Sequence, residues 1–263
     1  MLGGAAARPP VVHVPPRYRV STVAHGLTHP TALARGPGGR LYVTEDVGRL
    51  VVIRGGRPHV LARGLNTPLG LVFHGAAAYV SEAGRLQRLR LAGGRVSSRT
   101  TLVSGLPYGL HQQDNVVVGS DGRLYATVNG QDKLGAHEPA ELLVLVRKGA
   151  SYGWPRCWPS YRRRRLVGSC RRVARPAAYL EPHSSADGLA FWRGAAFVAE
   201  WGQYLSARAG RRVVRIELGH GGRARKVTTF ADGFDHPLAL LAGRKGLLVA
   251  DWGRGVVYRI ARR

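Results

Sequence analysis

A phrase that recurs along the chain limits its possible folds more than any other feature. Gly26 opens GLTHPTALARGPGGRLYVTEDVG and Gly64 opens GLNTPLGLVFHGAAAYVSEAG; a looser copy, GFDHPLALLAGRKGLLVADWG, begins at Gly233. Each carries a proline, an apolar run, a tight turn, a second apolar run, and an acid shortly before a glycine. Leu27 and Leu65 lie 38 residues apart, and a period of about 40 residues carrying several short strands is the sequence form of a β-propeller blade.

Read unit by unit, the pattern is strand and turn throughout, with no helical periodicity. The first unit places strands at 31–34, 40–44 and 50–54, and the second at 69–73, 77–81, 85–91 and 101–104. The third has 115–118, 124–128, 141–146 and a strand near 177–180, with a break of phase after Asn129. The fourth has 188–191, 196–199, 212–217 and 226–230; the fifth has 238–241, 247–250 and 256–260. The fifth unit is one strand short, and 18–23 at the other end of the chain is a strand without a sheet. Joining the two closes a ring and removes exposed edges. The expectation is an all-β protein: a β-propeller of five four-stranded blades over 18–263, a disordered lead-in at 1–17, and a basic loop inserted at about 152–175.

The chain has 40 Lys plus Arg against 15 Asp plus Glu, a formal charge of +25. Such an excess attracts polyanions. It is spread over turns, dense only at Arg162 to Arg165 and at Arg171-Arg172, and no nucleic-acid-binding motif accompanies it, which argues against nucleic acid as the partner. The Arg-rich, Ala- and Gly-rich composition also matches the codon bias of a GC-rich genome. No apolar run is long enough to span a membrane. Cys157 and Cys170 flank the basic run and cannot complete a tetrahedral zinc site by themselves, which points to a local disulfide, with free thiols as the alternative. The first residues, MLGGAAARPPVVHVPP, show no signal-peptide core to match an oxidising compartment.

Outside the repeat, HQQDNVVVGSDGRLYATV from His111, ELLVLVRKGASYGWPRCW from Glu141, PHSSADGLAF from Pro182, FVAEWG from Phe197 and GLLVADWGRGVVYRI from Gly246 stand together. In these phrases the chain resembles the glucose/sorbosone dehydrogenase family over residues 18–260. The resemblance implies a six-bladed propeller, extracytoplasmic, that oxidises sugars, polyols or aldehydes with pyrroloquinoline quinone and calcium. It implies His111 as the general base, a role that suits an imidazole titrating near neutrality. It further implies Gln112, Asp114 and Asn115 as cofactor contacts, and Asn129, Asp132 and Glu141 as calcium ligands of the oxygen type that a hard cation takes. Substrate and electron acceptor stay open.

The same phrases show departures. An Arg-Asn-Pro segment that contacts the cofactor in the family is missing where Val128 runs into Asn129, so about one blade is absent and five units stand against six. His236 stands where the family carries an arginine, Glu200-Trp201-Gly202 where it often offers a basic residue, and Val144 where it has asparagine. A quinone with three carboxylates needs cationic or strong donor partners when buried. Tyr152 and Trp154 are expected to pack, and the acids of Glu200-Trp201 and Asp251-Trp252 to bond the backbone of an adjacent blade. Two further readings remain: a non-catalytic propeller binding an anionic glycan or a protein through its basic loops, and an internally deleted chain that folds poorly.

Overall fold

A computed structural model describes residues 11–106, 108, 115–203 and 209–263. In chain order, β1 (Tyr18–His25) is followed by a first blade of β2 (Pro30–Arg35), β3 (Leu41–Glu45), β4 (Arg49–Arg54) and β5 (Arg57–Ala62). The second blade is β6 (Gly70–His74), β7 (Ala77–Glu82), β8 (Arg85–Ala92) and β9 (Arg95–Ser104). In the third, β10 (Val116–Val118), β11 (Leu124–Val128) and β12 (Glu141–Leu145) are separated by the hairpin β13 (Cys157–Ser160) and β14 (Arg165–Gly168) from β15 (Ala178–Leu180). The fourth is β16 (Ala186–Trp192), β17 (Ala195–Glu200), β18 (Arg212–Leu218) and β19 (Ala224–Ala231). The fifth is β20 (Pro237–Gly243), β21 (Gly246–Asp251) and β22 (Val256–Arg262), completed by β1, which pairs antiparallel with β22 from Tyr18↔Arg262 to His25↔Val256. The chain is a propeller of five four-stranded blades, its two ends joined in the fifth blade as the repeat predicts. Among the described residues no helix is long and apolar enough to cross a membrane.

Local chemistry sets these strands. The second strands LYVTE, AAFVAE and GLLVAD are buried at every residue, as near-continuous apolar runs must be when both faces of a sheet are covered. The outermost strand β9, RVSSRTTLVS, is exposed at most positions and correspondingly polar. Gly55-Gly56 and Gly93-Gly94 take positive φ in pairs between register partners Arg54↔Arg57 and Ala92↔Arg95. Two-residue hairpins demand that conformation, and glycine adopts it without steric cost.

The core lies between blades. Phe197, Phe230, Leu240 and Val249 join the fourth to the fifth, and Leu33, Val43, Leu248 and Val257 join the fifth to the first. Tyr42, Val52, Val80 and Leu89 join the first to the second, and Tyr125, Leu143, Leu189 and Val214 join the third to the fourth. No such cluster spans the second and third blades among the described residues. Their facing surfaces stay open instead: Val72 is 60% exposed, Val116 56% and Val118 62%. The central channel, of about 580 Å³, takes part of its wall from both of these blades.

This placement refines the expected break at Val128. The ladder of β11 with β12 is continuous from Tyr125↔Leu145 to Val128↔Leu142. Because every blade is the same four-stranded meander, a blade can be lost at the loop after its second strand without disturbing local pairing. Among the described residues the second and third blades share no packed interface.

Two further expectations differ from the structure. The lead-in is ordered from Val11 onward: His13 bridges Asp232 and Val12 is buried in the core between the fourth and fifth blades, while residues 1–10 lie outside those described. The corner at 152–155 buries only one ring. Tyr152 packs beside Val144 and donates to the Leu145 carbonyl at 2.7 Å, whereas Trp154 is 70% exposed.

Cys157 and Cys170 form a disulfide, Cα to Cα 5.0 Å. The β13–β14 hairpin beside it lies on the face of the third blade that points away from the fourth, where Tyr152 and Tyr161 cover Leu142 and Val144. Closing a loop of 13 residues removes roughly 3 kcal/mol of chain entropy from the open state. Serine at both cysteines is expected to speed tryptic cleavage within 162–165, read by mass spectrometry of a limited digest, and to lower the melting temperature by roughly 6–12 °C.

Candidate active site at the rim of the central channel

Antiparallel pairing delivers the start of every first strand and the end of every second strand to one face. The partners Pro30↔Glu45, Gly70↔Ser81, Val116↔Ala126, Ala186↔Glu200 and Pro237↔Asp251 mark it. In four blades the second strand ends in a buried acid: Glu45, Glu82, Glu200 and Asp251. Each is matched by an arginine at or near the start of the third strand. Arg49 Nε lies 2.6 Å from Glu45 and Arg212 Nε 2.6 Å from Glu200; Arg85 pairs with Glu82, and Arg254 lies 3.6 Å from Asp251.

The acids also hold the loop leading into their own blade. Glu45 accepts from Thr28 N at 2.6 Å, Glu82 from Asn66 N at 2.5 Å, and Asp251 from Asp235 N and His236 N, both at 2.9 Å. The expected bond of Asp251 to an adjacent blade is thereby corrected. A carboxylate at the end of the second strand sits directly beside the start of the first strand of the same sheet, and those amides are nearest.

The third blade departs from this arrangement. Its ladder, continued one step beyond Val128↔Leu142, sets Asn129 at the acid position and Glu141 at the arginine position. Glu141 is buried and accepts from Gly130 N. Burial pushes its carboxyl up to about 8, with the negative fields of Asp187 and Glu200 adding to the shift. Asn129 donates its amide to Asp187 at 3.1 Å and approaches Ser185 Oγ at 3.5 Å. Of the residues predicted for calcium, Asn129 and Glu141 therefore flank one strand end. Asp132 sits in the neighbouring turn, 65% exposed, 3.5 Å from His183 Nδ1. Asp187 joins the group without having been foreseen. It is the lone acid in any of the five first strands, and an acid lining a channel was the available signal.

Asn115 lies at the channel wall, its N–H donating to Thr127 Oγ1 at 3.2 Å, and Thr127 in turn donates to the Asp187 carbonyl at 2.7 Å. His111, Gln112 and Asp114 lie outside the described residues. On the opposite side of the rim, His29 stacks on Trp252 at 3.9 Å and 13°, and Trp201 tilts over His236 at 4.2 Å. Trp252 Nε1 donates to Asp46 at 3.1 Å. Burial depresses the pKa of His236, against the opposing pull of Asp235. This group went unread in the sequence, although the repeated acid-Trp pair was its trace.

A buried tricarboxylate quinone and a hard cation would need cationic donors and clustered oxygens. Oxygen donors gather around Asn129, Glu141 and Asp187, yet among the described residues no three acids, histidines or cysteines are grouped to hold a metal ion. Arg49, Arg85, Arg212 and Arg254 are matched to acids of their own blades and Arg211 lies 3.7 Å from Asp235, while Trp201 and His236 stack where cations are expected. The described residues alone therefore supply too few free cations for a tricarboxylate.

No family model matches the sequence, and no curated protein does. The fold itself is that of the quinone-dependent sugar dehydrogenases. The chain superposes on the holo pyrroloquinoline quinone domain of pyranose dehydrogenase from Coprinopsis cinerea with a TM-score of 0.82 and 15% identity, covering 98% of this chain and 99% of that one. It also matches a putative oxidoreductase (glucose dehydrogenase) from Thermus thermophilus at 0.69 and 23%, covering 92% and 99%. The quinone-bound aldose sugar dehydrogenase of Streptomyces coelicolor gives 0.68 and 21%, covering 94% and 100%.

Proposed function

We propose that this protein oxidises a sugar, a polyol or a related aldehyde at the channel rim, in an extracytoplasmic compartment. The observation that carries the reading is a convergence. Asn115, at the end of the HQQDN phrase, and Asp187 line a channel of about 580 Å³, a size that suits a small ligand, while Asn129 with Glu141 and the His29–Trp252 stack lie at the same end of their sheets. Aromatic faces beside fixed acceptors suit a polyhydroxylated ring. The solved neighbours named for pyranose, glucose and aldose oxidation support it, and so does the disulfide, a bond of oxidising compartments.

In this reading His111 takes the proton of the substrate hydroxyl, and Gln112, Asp114 and Asn115 make the polar contacts around it. Asn129, Asp132 and Glu141 face the calcium side. Pyrroloquinoline quinone, when bound, supplies the hydride acceptor, and calcium the positive charge beside it. Titration of the protein with the quinone, with and without calcium, followed by dye-linked oxidation of an aldose or sorbosone, tests the proposal. Saturable uptake at micromolar quinone is expected, and His111→Ala is expected to cut turnover by at least about 100-fold with uptake intact. Absence of uptake sinks the quinone reading; an active His111→Ala removes the histidine from its role.

A further inference from the structure

We infer that the disulfide-pinned arginine hairpin on the third blade is a docking surface for an acidic polysaccharide. Arg156, Arg162, Arg163, Arg165, Arg171 and Arg172 are exposed there. Among the described residues none of these side chains takes part in a salt bridge or a hydrogen bond. The contrast with the rim is sharp, since Arg49, Arg85, Arg212 and Arg254 all face acids.

The guanidinium groups stand on a fixed support. Cys157–Cys170 ties the base of the hairpin, the ladder runs from Cys157↔Gly168 to Ser160↔Arg165, and Ala174 N–H bonds the Ser151 carbonyl at 2.8 Å. Glu138, the acid beneath, points inward. It accepts from Ser160 Oγ at 2.7 Å, Tyr161 N at 2.5 Å and Arg162 N at 3.3 Å. Burial raises its pKa, but these bonds outweigh burial and hold it below the usual carboxylate range. The acid thus fixes the hairpin backbone; of the arginine charges only that of Arg162 adds to its downward shift.

Charge complementarity calls for a polyanion, and two observations favour a glycan among polyanions. Trp154 presents its indole at 70% exposure beside the arginines, giving a sugar ring an apolar face to lie on while guanidinium groups grip carboxylates or sulfates in bidentate fashion. The disulfide belongs to compartments where acidic glycans, rather than nucleic acids, are the abundant polyanions.

Binding of size-defined polyuronate and sulfated oligosaccharides to the full chain, without cofactor, at about 0.15 M salt, tests the surface independently of any oxidase activity. Arg162→Gln, Arg163→Gln, Arg165→Gln and Arg171→Gln together are expected to weaken binding by about tenfold or more, four exposed charge contacts acting together. A control carrying Arg54→Gln, Arg57→Gln, Arg90→Gln and Arg95→Gln has the same net charge and is expected to bind within about twofold of the parent. Trp154→Ala keeps every charge and is expected to lose about threefold on the glycan. Equal loss in the control, no loss with Trp154→Ala, or equally tight binding of duplex DNA or phosphatidylglycerol vesicles would each overturn the assignment.

Discussion

Asp251→Ala is expected to lower the melting temperature by roughly 6–20 °C. The Asp251 side chain is fully buried and accepts from the amides of Asp235 and His236 at 2.9 Å and of Arg254 at 3.3 Å, with the Arg254 guanidinium 3.6 Å away. Truncation strands those amides in a dry site and takes the acid from Arg254, which keeps only the Gly233 carbonyl at 2.7 Å and Tyr258 Oη at 3.5 Å; breaking such a buried charge cluster costs about 3–5 kcal/mol. A domain of this size shifts by about 2–4 °C per kcal/mol. Asp251→Asn keeps an acceptor oxygen for one or two of the amides and is expected to fall between the variant and the parent. The same amides place His236, which contacts Trp201 and Trp252, so the alanine variant also disturbs the aromatic side of the rim. Thermal unfolding followed by circular dichroism decides the matter; a drop under about 2 °C would show that the acid ring does not hold the blades.

Sequence legibility divides along the range of the interactions. The period of Leu27 and Leu65, the glycine pairs at 55–56 and 93–94, and the orphan strand that became β1 are local signals, and each is realised in the fold. The open interface is a different matter. Val72, Val116 and Val118 are indistinguishable in sequence from core residues of a closed ring, because alternation records which face a side chain takes and not whether another blade covers that face. Trp154 was misjudged for the same reason: an aromatic at a corner marks a contact only if the opposing surface exists.

The rim was half legible. Its acids advertise themselves through repetition, but repetition cannot say that Asp251 bonds its own leading loop rather than a neighbour's, since that depends on sheet register. The inversion in the third blade, Asn129 for an acid and Glu141 for an arginine, becomes visible only when the ladders are superposed. Asp187 belongs to the group through a contact across 58 residues of chain to Asn129.

The inverted pair carries the second large effect. Glu141 is 3% exposed and has its carboxyl pushed up to about 8 by burial, with Asp187 and Glu200 adding to the shift against the bond from Gly130 N. In the unfolded chain the group titrates near 4.5. Between those values the native state holds a proton that the unfolded state lacks, so stability falls as pH rises through the window and is level on either side. The full swing is on the order of 5 kcal/mol. Glu141→Gln keeps an acceptor for Gly130 and carries no charge to desolvate. It is expected to match the parent at pH 5, exceed it at pH 8.5, and retain only a shallower slope from Glu200, which burial raises to about 7 against the pull of Arg212. Urea midpoints at the two pH values measure this, and parallel profiles for parent and variant would refute it. If a cation is held between Asn129 and Glu141, as proposed for the rim, it would take the place of that proton, and calcium added at pH 8.5 is then expected to raise the midpoint of the parent and leave that of Glu141→Gln where it was.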